Sequence, residues 1–204
     1  QYTYYMDHLH LQNTESKHLG EMFAKVIDHV VIDGNPWSPL MPTAVHRYGN
    51  IILIDYHIPV GTLALDTVNV KKRPNFGFEY IQTGGNTVSI TDVALVNNNT
   101  QVQITLDTIP TGTNELIRYA YSCYRPGAGF ARCGDATDST AVGGNIRDTD
   151  GSVSQAIGST GLPLYNWSVT FEEPVLGPAG TAPAALSPTL DIFPNPTHAA
   201  LNIR

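Results

Sequence analysis

The stretch from Ile51 to Ser122 constrains the fold more than any other part of the chain. It is a series of short segments rich in β-branched and aromatic residues, separated by clusters of turn residues. Ile51-Ile52-Leu53-Ile54-Asp55-Tyr56-His57-Ile58 comes first and stops at Pro59-Val60-Gly61. Thr62 to Leu65, Phe76 to Gln82, Thr87 to Val96, Gln101 to Leu106 and Leu116 to Ser122 continue the series. The breaks fall at Lys72-Arg73-Pro74-Asn75, Thr83-Gly84-Gly85-Asn86, Asn97-Asn98-Asn99 and Pro110-Thr111-Gly112. Short strand-like segments separated by turn clusters predict an antiparallel β-sandwich. Val88, Ile90, Val93 and Leu95 do not keep one parity, which predicts a bulge or bend at Thr91-Asp92. A last strand is expected at Trp167-Ser168-Val169-Thr170-Phe171, ended by Glu172-Glu173-Pro174.

Upstream the period is helical. Leu19, Met22, Phe23, Val26, Ile27 and Val30 recur at helical spacing and form one apolar stripe. Asn13 or Thr14 is the expected cap, and Asp33-Gly34-Asn35-Pro36 the expected stop. Lys17, Glu21, Lys25 and Asp28 lie off the stripe and are expected to face water. Residues 35–50 hold Pro36, Pro39, Pro42 and Gly49-Asn50 without a period, and read as a linker lying over the surface.

Composition narrows the partners. Hydrophobic residues make up 42% and charged residues 14%, a globular balance. Lys+Arg number 11 against Asp+Glu 18, a net charge of −7, and no basic cluster exceeds Lys71-Lys72-Arg73. Such a chain repels phosphate backbones, which argues against nucleic acid. No apolar run approaches the roughly 20 residues needed to span a bilayer. The first residues, Gln1-Tyr2-Thr3-Tyr4-Tyr5-Met6, do not read as a signal peptide. A helix and motif that begin almost at once suggest a C-terminal piece of a longer chain.

Residues 123–159 form a polar, small-residue stretch. Cys123 and Cys133 lie in its Gly/Pro-rich part, either as a short-loop disulfide or as two free thiols. No second Cys/His pair lies at zinc-ligand spacing. Asp135, Asp138, Asp148 and Asp150 lack EF-hand spacing and read as a solvated acidic loop, so no metal is expected. Arg147 reads as the surface partner of Asp148 or as an anchor for a substrate carboxylate. Residues 175–189 read as a flexible linker, and residues 190–204 as strand–turn–strand. No internal repeat is present.

Chemistry points to Asp7 and His10. A histidine can deprotonate a weak hydroxyl nucleophile near neutral pH, and a carboxylate can fix its tautomer and stabilise the imidazolium. A three-residue offset in one loop lets both side chains turn the same way, and a helix directly after it anchors the loop. Asp7-His8-Leu9-His10-Leu11-Gln12-Asn13, running through Leu19-Gly20-Glu21-Met22-Phe23-Ala24 into the helix, resembles the closing block of the SGNH (GDSL-type) hydrolases. The resemblance covers about 30 residues. It implies that residues 1–34 end a flavodoxin-like α/β hydrolase domain, in which Asp7 and His10 complete a Ser-His-Asp triad without a cofactor. The Gly-Asp-Ser nucleophile block and the oxyanion-hole Gly and Asn of that family do not occur in the chain, so these 204 residues are expected to be inert by themselves.

Two further resemblances extend the reading. Phe76-Gly77-Phe78-Glu79, Leu116-Ile117-Arg118-Tyr119-Ala120-Tyr121, Gly144-Asn145-Ile146-Arg147-Asp148 and Leu162-Pro163-Leu164-Tyr165-Asn166-Trp167 resemble the accessory β-domain of sialate-O-acetylesterase-like carbohydrate esterases. That implies a β-sandwich over 51–174. Its aromatics Tyr124, Phe130, Tyr165 and Trp167 would then shape a sugar-facing surface, against the blander account that Tyr119, Tyr165 and Trp167 are packing. Phe193-Pro194-Asn195-Pro196-Thr197, then Leu201-Asn202-Ile203, resembles the opening of the C-terminal sorting domain of type IX secretion. That implies an exported or surface-displayed parent that meets the secretion machinery. The sequence thus leads to the C-terminal part of a secreted carbohydrate esterase. A non-enzymatic carbohydrate-binding or adhesion module is the alternative.

Overall fold

The structure, a computed structural model, describes residues 10–121, 143–158 and 160–177. It is mainly β. In chain order the elements are helix α1 (Asn13–Ile27), then strands β1 (Met41–Tyr48), β2 (Ile51–His57), β3 (Ala64–Leu65), β4 (Phe78–Thr83), β5 (Ile90–Val96), β6 (Gln101–Leu106), β7 (Thr113–Tyr119), β8 (Ile146–Arg147) and β9 (Phe171–Pro174). The strands form a four-stranded sheet ordered β1-β2-β6-β5, a three-stranded sheet β4-β7-β9 and a short pair β3-β8. Every pairing between these strands is antiparallel.

Alternation along β2 and β6 explains the larger sheet. Ile52, Ile54 and Tyr56 point inward from β2, and Val102, Ile104 and Leu106 from β6. The register sets Ile52 opposite Ile104 and Ile54 opposite Val102, so one face is a continuous aliphatic layer. Val45 and Val93 extend it onto β1 and β5. Phe78, Ile117, Tyr119 and Phe171 of the smaller sheet join the same core cluster, as do Leu40, Leu63 and Ile146. Tyr119 stacks on Phe171 at 5.4 Å between ring centres and packs against Phe78 at 4.9 Å. Its hydroxyl accepts the N–H of Ile146 at 2.8 Å, which satisfies a buried phenol inside an apolar cluster. Gly144 lies flat on this ring: a Cβ there would stand 1.9 Å from the Tyr119 Oη.

Local chemistry settles the turns. Tyr48 and Ile51 pair across Gly49-Asn50, and the Asn50 side-chain amide donates to the Leu106 carbonyl at 2.9 Å. Asn97, Asn98 and Asn99 all take left-handed backbone angles between β5 and β6, a conformation asparagine tolerates better than most residues. The register of β5 against β6 shifts between Ile90 and Asp92, where the parity break predicts a bulge.

Three expectations need correction. The stretch 35–50 is not all linker, because its second half is β1. Pro42 concealed the strand, yet β1 lies at the edge of the sheet and its register shifts between Pro42 and Ala44, where a missing N–H is tolerated. The last strand is Phe171–Pro174 rather than 167–171, since Glu172 and Glu173 pair with Arg118 and Ile117 instead of ending the element. Ile146–Arg147, read as loop, forms β8 against Ala64 and Leu65. Residues 175–176 also run beside β1, with the Arg47 N–H donating to Leu176 O and the Leu176 N–H donating to Val45 O.

Candidate functional site

His10 is exposed on a bend, three residues before α1 begins. The helix cap falls on Gln12, whose side chain makes no capping bond, rather than on Asn13 or Thr14. Thr14 instead donates its hydroxyl to the Glu15 carboxylate at 2.5 Å. Beyond Ile27 the helix widens into a π-type turn over Asp28–Ile32 and stops at Asp33, with Gly34 at φ +69°. Asp7, Cys123, Cys133, Tyr124, Phe130, Asp135, Asp138 and the segment Phe193-Pro194-Asn195-Pro196 lie outside the described residues.

What holds α1 is its polar face, contrary to the expectation that Lys17, Glu21 and Lys25 face water. Residues 17, 18, 21 and 25 share one side of the helix, and all four bind the 150–166 segment. Lys17 Nζ donates to Ile157 O at 2.7 Å, and a His18 Nε2–Pro163 O contact of 3.0 Å lies beside it. The Glu21 carboxylate accepts the Ser154 hydroxyl and the N–H groups of Gln155 (2.8 Å) and Ala156 (3.1 Å). Lys25 Nζ reaches Asp150 Oδ2 at 2.5 Å, and Leu164 O and Asn166 Oδ1 at 2.9 Å each. The Ser154 hydroxyl, followed by the Gln155 and Ala156 N–H groups and His18, holds the Glu21 carboxyl below its ordinary pKa against the opposing effect of burial. Burial pushes the Asp150 carboxyl up, but Lys25 and Ser152 outweigh it and leave its pKa lowered.

The apolar stripe is only partly covered. Phe23 is 62% exposed, Ile27 55% and Val30 42%, while Leu19, Met22 and Val26 are half-buried, and no residue of α1 is buried. Amphipathic periodicity tells that two faces differ, not which one finds a partner. Here the partner is a loop full of backbone N–H and C=O groups that need satisfying.

The acidic residues of that loop are structural. Asp148 is fully buried, and its carboxylate accepts N–H groups from Val60, Asp150 and Asn166 and the Asn166 side-chain amide. Asp150 is also buried, so the solvated acidic loop does not hold for these two. Arg147 pairs neither with Asp148 at the surface nor with an open site. Its Nε binds Asp66 Oδ2 at 2.5 Å, its Nη1 donates to the Asp148 carbonyl, and its guanidinium lies 3.6 Å from the Tyr165 ring centre. Burial raises the Asp66 carboxyl pKa, but Asn69, Arg147 and Val68 together bring it below its usual value. Tyr119 is core, Tyr165 packs under Arg147, and Trp167 bridges to Arg147. Among the described residues no group of three or more His, Cys, Asp or Glu side chains is placed to hold a metal ion. No described helix is long and apolar enough to cross a membrane.

One concavity went unread in the sequence. Where the C-terminal end of α1 meets the end of β2, a cleft of about 490 Å³ opens, lined by Asp28, His29, Asp33, Trp37, Ser38 and His57 among others. Trp37 is half-buried and held in a T-shaped contact with His29, 5.6 Å between ring centres. These residues come from two stretches, 25–38 and 57–60, and no spacing in the sequence brings them together. Compared with protein-family models, curated proteins and solved structures, the chain finds no match in any of the three.

Proposed function

We propose that the chain is the C-terminal part of a secreted SGNH-type ester hydrolase acting on an esterified carbohydrate, an acetyl ester being the simplest case. In this reading His10 deprotonates a serine supplied by an upstream domain and then protonates the leaving alkoxide, while Asp7 orients the imidazole. Residues 51–174 serve as a β-sandwich accessory domain, and Phe193-Pro194-Asn195-Pro196 opens an export signal read by the type IX machinery. The observation that carries the reading is the state of α1. The helix is pinned along its polar face while Phe23 and Ile27 of its apolar stripe stay exposed. A helix that closes an α/β domain needs such a stripe to pack on its sheet, and the same helix then fixes the loop that bears the base. The antiparallel sheets, which share one core cluster, suit an accessory sandwich.

A serine-directed fluorophosphonate probe tests this. It should label a single serine of the full-length parent upstream of the 204 residues, and none within them. Labelling of a serine inside the 204 residues, or of none anywhere in an active parent, contradicts the reading.

A further inference from the structure

We propose that the cleft between the end of α1 and the end of β2 binds a neutral saccharide unit, at a subsite separate from His10. The choice of ligand class rests on the carbohydrate reading above, but the site itself is argued from its own residues. Trp37 offers an aromatic surface held in place by His29, which suits the C–H face of a pyranose. Around it stand the carboxylates of Asp28 and Asp33, the imidazole of His57 and the hydroxyl of Ser38. Among the described residues no hydrogen bond engages the side chains of Asp28, Asp33, Ser38 or His57. The groups that would accept from and donate to sugar hydroxyls are therefore unspent.

Charge narrows the ligand further. Lys25 lines the same cleft, but an ammonium has three donors and all three are used on Asp150, Leu164 and Asn166. The open charges of the cleft are thus two carboxylates, which would repel a uronate or any other acidic sugar. A rise of about 1.5 Å per residue places Asp28 about 25 Å along the helix from His10. The cleft is too remote to hold the ester being cut, and fits instead a flanking unit of the same glycan.

The test uses the whole 204-residue chain, which contains two tryptophans, Trp37 and Trp167. Their indole N–H signals are followed by two-dimensional ¹H–¹⁵N NMR during titration with xylohexaose, mannohexaose, cellohexaose and chitohexaose, and with hexagalacturonate as the acidic control. At least one neutral oligosaccharide should shift the Trp37 signal and leave Trp167 in place. Trp37→Ala should remove the response, and Asp28→Asn and Asp33→Asn, both at exposed positions, should each weaken it about tenfold. The remaining cross-peaks report whether each variant is folded. The proposal is overturned if no neutral oligosaccharide shifts Trp37 at about 10 mM, the weak end of specific binding. It is equally overturned if only Trp167 responds, if hexagalacturonate binds as well as the neutral sugars, or if spermidine shifts Trp37 and no sugar does. Ester turnover by the parent is a separate readout, so a silent cleft beside an active parent sinks this inference alone.

Discussion

Replacing Lys25 with methionine should release α1 from the β-body without unfolding it. The substitution keeps the aliphatic stem and removes the ammonium, and with it three hydrogen bonds of 2.5, 2.9 and 2.9 Å. It also leaves the Asp150 carboxylate, only 6% exposed, without its cation, whereas Lys25 itself is 19% exposed. A charged hydrogen bond contributes about 1.5–3 kcal/mol, and the three are not additive because they share one head group. Breaking a buried pair costs about 3–5 kcal/mol, and the partial exposure of Lys25 places this case at the low end, about 3 kcal/mol. The bonds of Lys17, His18 and Glu21 remain, but no residue of α1 is buried, so what still opposes local opening lies at the surface. At 1.36 kcal/mol per decade, amide exchange over 13–32 should accelerate about a hundredfold, with β2 and β6 unchanged. Hydrogen exchange resolved by mass spectrometry or NMR measures both. Unchanged helix protection would refute the claim that the polar face holds the helix. Equal acceleration in the sheets would refute the claim that it is held locally.

Acid should do the same by titration. The lowered carboxyl values of Glu21 and Asp150 mean that their stabilising contribution is complete above the unfolded carboxylate pKa of about 4 and is lost as pH falls through the lower folded values. Exchange at α1 is therefore expected to rise below about pH 4, before the aliphatic core of β2 and β6 opens, while a helix that stays protected to pH 2 would contradict the assignment. Gly144→Ala should cost about 3 kcal/mol or more, because the new methyl would overlap the Tyr119 ring and overpacking of a core is itself destabilising. Urea unfolding would show it as a lower midpoint, and an unchanged midpoint would mean that the Tyr119 ring is not fixed there.

The parts of the fold legible in the sequence are those where local chemistry and tertiary structure agree. Ile52, Ile54, Val102 and Ile104 alternate because one face of a sheet is buried, and the parity break at Thr91-Asp92 marks a physical shift of register. The three consecutive asparagines mark their turn for the same reason. Where a local signal is ambiguous, reading fails. Pro42 stops an internal strand but not an edge strand, and edge position is a property of the whole sheet. Glu172 and Glu173 look like terminators until Arg118 stands opposite Glu172. Lys17, Glu21 and Lys25 look solvated because their partners lie more than 120 residues away in sequence. The cleft was invisible for a similar reason. Trp37, His57 and the Asp28–Asp33 turn have no shared period or spacing, and only the junction of helix and sheet brings them together. The pattern before an amphipathic helix is visible in the sequence, and the structure puts His10 on an exposed bend three residues before that helix.

The most direct measurement of the central claim is steady-state ester hydrolysis by the full-length parent and by its His10→Ala variant, on an acetylated oligosaccharide, with circular dichroism to confirm that both are folded. If His10 is the base of a serine esterase, kcat should fall by about four orders of magnitude while the spectrum is unchanged. Asp7→Asn should fall in the same direction. A variant that folds normally and turns over acetylated sugar at the wild-type rate would contradict the assignment of His10 and the enzymatic account built on it.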